Sequence, residues 1–268
     1  MLAFPISAFT YFDMPNFEIQ WKNEIQWDKP PSDWSLPPAE AHVWAATLEI
    51  PAERLPVFAA TLSRGERERA RRFHFEPDRR RFIAGRGILR EILGSYLKIE
   101  PARLQFEYGS RGKPKLAELP DDCTLHFNIS HANGLLLVAV CGQCPVGVDI
   151  EYLRLVEKPD DLVERFFSPE EAMFFRALPD DQRTKAFFNL WTRKEACLKA
   201  TGDGITERLR EMVVSFLPDE PARVLKISDA SESVGNWMLQ ELHPAPGYVA
   251  AFAARAQDLH LCCWRWPF

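Results

Sequence analysis

Two stretches of this 268-residue chain carry the same start signal for a helix. "SRGE" puts Ser63 at an N-cap with Glu66 three residues on; "SPEE" puts Ser168 at an N-cap, Pro169 at the first helical position and Glu171 at the third. In such a box the hydroxyl takes up an orphan N–H of the first turn and the carboxylate reaches back to the cap. A long helical segment follows both times. "DRRRFIAGRGILREILGSYL" sets Phe82, Ile83, Ile88, Leu89, Ile92 and Leu93 at helical spacing, and "DQRTKAFFNLWTRKEACLKATG" is its counterpart. The helices are expected to end at Gly94 and Gly202. Residues 63–94 thus echo residues 168–202, and the chain is expected to build two similar halves that meet at an interface.

Between the two stretches the pattern changes to strands. "TLHFNIS" alternates Leu125, Phe127 and Ile129 with polar residues, "LLLVAVC" is a continuous apolar run, and "PVGVDIEYL" is a third segment. The links "HANG" and "GQCPVG" are short and contain glycine, so the three are expected to form an antiparallel meander. In a meander the first and third strands end on the same side. That would bring Ser130 and His131 close to Asp149 and Glu151, the last two sharing one face of their strand while Ile150 points the other way.

Residues 1–40 are aromatic and broken by proline, with Trp21, Trp27 and Trp34, and read as an extended arm laid on the body. "HVWAATLEI" opens a first half over residues 41–150. The second half, 151–268, closes on strand-like runs "EMVVSF", "NWMLQEL", "GYVAAFAA" and "LHLCCWRW".

Composition narrows the function. At 46% hydrophobic and 26% charged residues the chain is an ordinary globular protein with material for a core. It has no run of about 18 apolar residues and no signal-peptide pattern, so a cytoplasmic protein without membrane segments is expected. Its six cysteines are then expected to stay reduced. Cys141 and Cys144 make one C-x-x-C, but Cys262 and Cys263 are adjacent and have the wrong spacing to complete a zinc site with them. A net charge of -5 argues against general nucleic-acid binding, yet residues 64–90 hold ten arginines and no lysine. A local anion site is one reading of that run; a solvated face is the other.

Chemistry concentrates on the second long helix. Trp191, Glu195 and Lys199 follow at i, i+4 and i+8 and form one line along its surface. An exposed ion pair would explain Glu195 and Lys199 by themselves. Set beside Asp149 and Glu151, however, Glu195 completes a trio of carboxylates, and converging carboxylates repel one another unless a cation lies between them. Hard oxygen ligands without His or Cys favour Mg²⁺, which commonly completes its shell with substrate phosphates. His131, Lys199 and Lys113 of "SRGKPK" are the basic residues nearest in pattern to such a site.

Taken in order, "GKP", "FNISH", "GVDIE", "FFSPEE" and "LWTRKEACLKATGDG" resemble the Sfp-type 4′-phosphopantetheinyl transferases over about residues 64–204. The resemblance implies an α+β fold, a pseudo-dimer of two similar α+β halves with coenzyme A and Mg²⁺ in the cleft between them. It implies transfer of the phosphopantetheine arm of coenzyme A to a serine of an apo acyl or peptidyl carrier protein, with release of adenosine 3′,5′-bisphosphate. By motif, Asp149, Glu151 and Glu195 correspond to the metal ligands, with Glu195 also the base. His131 and Lys199 correspond to pyrophosphate contacts. Arg69, Arg86, Lys113 and Ser130 correspond to contacts with the 3′-phosphoadenosine end, and Lys194 is a further coenzyme contact to be placed. The carrier is expected near the helices that begin at Ser168, around Phe174 and Phe175, and a monomer is expected because two halves already make the cleft. A Mg²⁺-dependent phosphohydrolase using the same carboxylates, or a non-catalytic polyanion binder using the arginine run, are the competing readings.

Overall fold

One strand, three helices, a short hairpin and two more strands occur twice in succession. The computed structural model describes residues 25–31, 34–109, 114–120, 123–202, 208–218, 220–229 and 232–267. After a two-residue strand β1 (Trp27–Asp28), the first pass consists of β2 (Glu40–Thr47), α1 (Arg54–Thr61), α2 (Arg64–Arg71), α3 (Glu76–Leu97), the pair β3 (Phe106–Tyr108) and β4 (Pro114–Leu116), then β5 (His126–Ala132) and β6 (Leu135–Cys141). The second pass repeats it with β7 (Val146–Tyr152), α4 (Pro159–Phe166), α5 (Pro169–Arg176), α6 (Asp180–Thr201), the pair β8 (Met212–Val214) and β9 (Val224–Ile227), then β10 (Met238–Leu242) and β11 (Tyr248–Ala254). A last strand, β12 (His260–Arg265), follows.

The sheets repeat as well. β2, β6 and β5 lie in that order, all antiparallel, and β7, β11 and β10 do the same. This is the α+β architecture of two like halves expected from the two capped helices. Both capping boxes are formed, Ser63 with Glu66 and Ser168 with Glu171. The first long helix does not stop at Gly94. It runs to Leu97 and is capped by Lys98 in the left-handed region at φ 55°, while the Gly94 carbonyl accepts the N–H of Ile99 at 3.0 Å. The second ends at Gly202 in the left-handed region, as its sequence leads one to expect.

β12 leaves the second half and runs parallel to β2 in the first sheet, and β1 runs parallel to it on the other side. Of the expected arm, residues 1–24 with Trp21 lie outside the described residues; the Trp34 ring lies 4.3 Å from that of Trp44 and 5.4 Å from that of Trp266.

The meander is corrected. β5 and β6 pair as expected, but β7 pairs with β11 and not with β6. Val146, Val148 and Ile150 of β7 join Val43, Leu137 and Phe252 in an apolar layer between the two sheets, and burying that face needs a strand in the second sheet. β7 still comes alongside β5, by side chains in place of a backbone ladder. Asn128 Oδ1 accepts the N–H of Val148 at 3.1 Å, and Ser130 Oγ accepts that of Ile150 at 3.4 Å. Two further cores lie under α3 in the first half and under α6 in the second.

Candidate active site

α6 crosses β7 unusually closely, and Gly147 is the reason. A Cβ at that position would fall 1.9 Å from the Ala196 carbonyl oxygen and 2.6 Å from the Ala200 nitrogen. With no side chain there, the helix settles onto the strand and brings Glu195 and Lys199 to Asp149, two residues further along β7.

Asp149 and Glu195 are both buried, at 5% and 4% exposure. Asp149 Oδ1 accepts from Lys199 Nζ at 2.6 Å and from Ser130 Oγ at 2.8 Å. Lys199 also donates to Ser130 Oγ and to the Val148 carbonyl, so its ammonium ties α6, β5 and β7 together. The opposite oxygens are different: Asp149 Oδ2 and Glu195 Oε1 are buried with no hydrogen-bond partner. Burial first, then the charges of Asp149 and Glu151, push the Glu195 carboxyl up to about 7, with Lys199 only partly offsetting them. Two buried carboxylate oxygens without partners, on facing elements, suit a hard divalent cation. Glu151 is half-buried at the edge, where Arg154 holds its Oε2 at 3.0 Å.

The residues expected to contact coenzyme A separate into two groups. Arg69, Arg86 and His131 line one cleft of about 350 Å³ together with Phe82, Arg81 and Asn133. Arg86 is 8% exposed, its Nη1 is buried without a partner, and its guanidinium lies over the rings of Phe82 and Tyr108 at 5.6 and 5.5 Å. Arg69 stands over Phe82 as well, at 5.4 Å. His131 is exposed at the rim, on the strand that supplies Ser130 to Asp149. Ser130 itself is turned to Asp149 and Lys199, so its hydroxyl positions the carboxylate. Lys113, with Asp203 and Gly204 at the end of the last motif, lies outside the described residues.

Lys194 is corrected. It is 1% exposed and donates to Glu171 Oε2 at 2.5 Å and to the Leu209 carbonyl at 2.6 Å, inside the second half. One residue from Glu195 on a helix is about 100° around its axis, which turns Lys194 away from the cleft. Phe175 is corrected too. It is fully buried under Arg183, so it offers a carrier nothing; Met173, two residues before it on α5, is 59% exposed.

Phe82 and Tyr108 escaped the sequence reading. Phe82 read as an ordinary apolar position of α3, although its i, i+4 spacing to Arg86 was a usable signal for ring–guanidinium contact. Tyr108 carried none.

The fold is the two-halved α+β type, with the carboxylates of Asp149 and Glu195 at the seam and an arginine-lined cleft beside them. The chain belongs to the 4′-phosphopantetheinyl transferase family. Residues 145–253 match the model of the 4′-phosphopantetheinyl transferase superfamily, and residues 50–143 match that of the 4′-phosphopantetheinyl transferase N-terminal region. The chain is 45% identical to the 4′-phosphopantetheinyl transferase HetI of Nostoc sp., over 85% of this chain and 92% of that protein. It is 35% identical to the transferase psf-1 of Bacillus pumilus, over 75% and 78% of the two chains, and 28% identical to Sfp of Bacillus subtilis, over 75% and 85%. Among the described residues no helix is long and apolar enough to cross a membrane.

Proposed function

We propose that this chain transfers the 4′-phosphopantetheine arm of coenzyme A to a serine hydroxyl of an apo acyl or peptidyl carrier protein, leaving adenosine 3′,5′-bisphosphate. The observation that carries the reading is the pair of partnerless buried oxygens, Asp149 Oδ2 and Glu195 Oε1, set on facing elements beside the arginine-lined cleft.

Asp149 and Glu195, with Glu151 at the edge, are the residues that would hold Mg²⁺. The ion, when bound, supplies positive charge to the phosphoryl oxygens and to the departing phosphate. Arg69 and Arg86 would grip the phosphate at the adenosine end and so fix the pyrophosphate against the seam. His131 at the rim places a cation or N–H donor where charge builds up as the serine oxygen attacks the β-phosphorus and the bridging oxygen leaves. Lys199 serves first to hold Asp149 in place, and its ammonium adds to the positive field on the pyrophosphate. Glu195 takes the serine proton. Both halves of the fold come from one chain, which supports a monomer, and coenzyme A as co-substrate goes with a cytoplasmic location.

The test is direct. Incubated with coenzyme A, Mg²⁺ and apo carrier proteins of fatty-acid, polyketide and peptide type, the protein should add one phosphopantetheine mass to a carrier, and chelation of Mg²⁺ should stop it. No mass gain on any of these carriers would overturn the reading.

A further inference from the structure

Four side chains of three chemical kinds meet on one face of two paired strands, outside the cleft. β2 carries Glu40-x-His42 and β12 carries His260-x-Cys262, and the parallel register sets His260 beside Glu40 and Cys262 beside His42. Residues two apart on a strand share a face, so the four side chains occupy the corners of a quadrilateral. Among the described residues this is where three potential ligand atoms of His, Cys, Asp or Glu, those of Glu40, His42 and Cys262, lie within 4.8 Å of one another.

We propose that Glu40, His42, His260 and Cys262 form a structural zinc site that fastens the last strand to the first sheet. The spacings decide between a hydrogen-bonded cluster and a ligand set. His42 Nε2 is 3.1 Å from Glu40 Oε2, Cys262 Sγ is 3.4 Å from His260 Nδ1 and 3.9 Å from Glu40 Oε2, and His260 Nδ1 is 3.8 Å from Glu40 Oε1. The His260–Glu40 separation is too long for a hydrogen bond. The His42–Glu40 and Cys262–His260 separations lie near the roughly 3.3–3.6 Å edges of a tetrahedron whose bonds are those of zinc to O, N and S, and His260 completes the set by rotating its exposed ring toward Glu40 and His42. One thiolate, one carboxylate and two imidazoles also balance the charge of Zn²⁺, and mixed N, S and O donors favour it over Mg²⁺ or Ca²⁺.

The surroundings hold the first ligand in position. His42 is 3% exposed, and its Nδ1 lies 2.6 Å from the Tyr96 hydroxyl oxygen, which also accepts from Trp44 Nε1 at 2.9 Å. With Nδ1 so engaged, Nε2 is left to face Glu40, which is the outer-shell arrangement that orients a metal-bound imidazole. His260 is 75% exposed and leaves the site open to an entering ion. Four protein ligands close the coordination shell, so the role is structural and not catalytic.

The experiment uses the full chain stripped by chelator and titrated with Co²⁺, then with Zn²⁺ against a chromophoric chelator. One thiolate-to-cobalt charge-transfer band should appear, reach saturation at one ion per chain and be displaced by Zn²⁺, and Zn²⁺ should raise the melting temperature. The all-oxygen set at Asp149 and Glu195 cannot give that band, so Glu195→Gln should keep it, as should Cys144→Ser. Cys262→Ser should abolish it. His260→Ala, at an exposed position that leaves the fold intact, should weaken zinc binding, and Tyr96→Phe should weaken it about 10–100-fold. No band in the wild-type chain, an unchanged band in Cys262→Ser, or unchanged zinc affinity in His260→Ala would each overturn the proposal.

Discussion

The ammonium of Lys194 sits 2.5 Å from Glu171 Oε2 in a site where both side chains are 1% exposed, and the first half contains the same device. There Arg90 Nη2 lies 2.6 Å from Glu66 Oε2, at 1% and 3% exposure. Arg90 and Lys194 occupy the same position of their long helices, counted from Glu76 and Asp180. Each cation binds the N3 carboxylate of the preceding capping box, and each donates to carbonyls just past its own helix, Pro101 and Leu104 for Arg90 and Leu209 for Lys194. The repeat therefore assigns Lys194 to the frame that locks α5 onto α6.

Removing one partner of such a buried pair leaves the other charge without compensation. Lys194→Met should destabilise the protein by about 3–5 kcal/mol in urea unfolding while leaving coenzyme A affinity of the folded protein unchanged. A selective loss of coenzyme A affinity with normal stability would return Lys194 to the cleft.

Glu195 should behave in the opposite way. Its Oε1 has no partner and its charge is opposed by Asp149 and Glu151, so Glu195→Gln should keep or raise the melting temperature of metal-free protein. Transfer to the carrier should fall roughly 10²–10⁴-fold with the loss of the base. Near wild-type turnover would remove Glu195 from the mechanism.

Arg86 offers a buried Nη1 with no partner in the cleft. Arg86→Ala should raise the KM for coenzyme A roughly 10- to 100-fold, the worth of one charge-assisted hydrogen bond, with a smaller change in kcat. An unaltered KM would show that the anion sits elsewhere.

Gly147→Ala tests the approach of α6 to β7. Its methyl group would collide with the Ala196 carbonyl, so stability should drop by about 1–3 kcal/mol or more and activity should fall with it as Glu195 is moved from Asp149. Wild-type melting and turnover in this variant would contradict the packing.

Acid should loosen the first half through Glu66. Burial opposes its ionisation, but the N–H of Ser63 and the guanidinium of Arg90 outweigh that and hold the carboxyl below its ordinary 4.5. A folded value below the unfolded one means the stabilisation is present above 4.5 and is lost as pH falls through the folded value. Urea midpoints measured downward from pH 4.5 should therefore decline more steeply for wild type than for Glu66→Gln. Equal slopes would clear Glu66 of that role.

The sequence alone determined the features that depend on neighbours a few residues apart. Capping boxes at Ser63 and Ser168, the helical line through Glu195 and Lys199, and the shared face of Asp149 and Glu151 are all set by local geometry, and with them came the two-halved plan. The tertiary structure decided what depends on which strand finds which. Nothing near Val146 in the sequence says that β7 will leave β6 for β11, because that choice is made by burying both faces of the strand, and the partner lies about a hundred residues away. The same holds for Lys194, whose direction follows from where Glu171 and Leu209 come to rest, and for Phe82 between two arginines. It holds most of all for Glu40, His42, His260 and Cys262. Their residue types are commonplace at either end of the chain, and only the parallel pairing of β2 with β12 brings them onto one face.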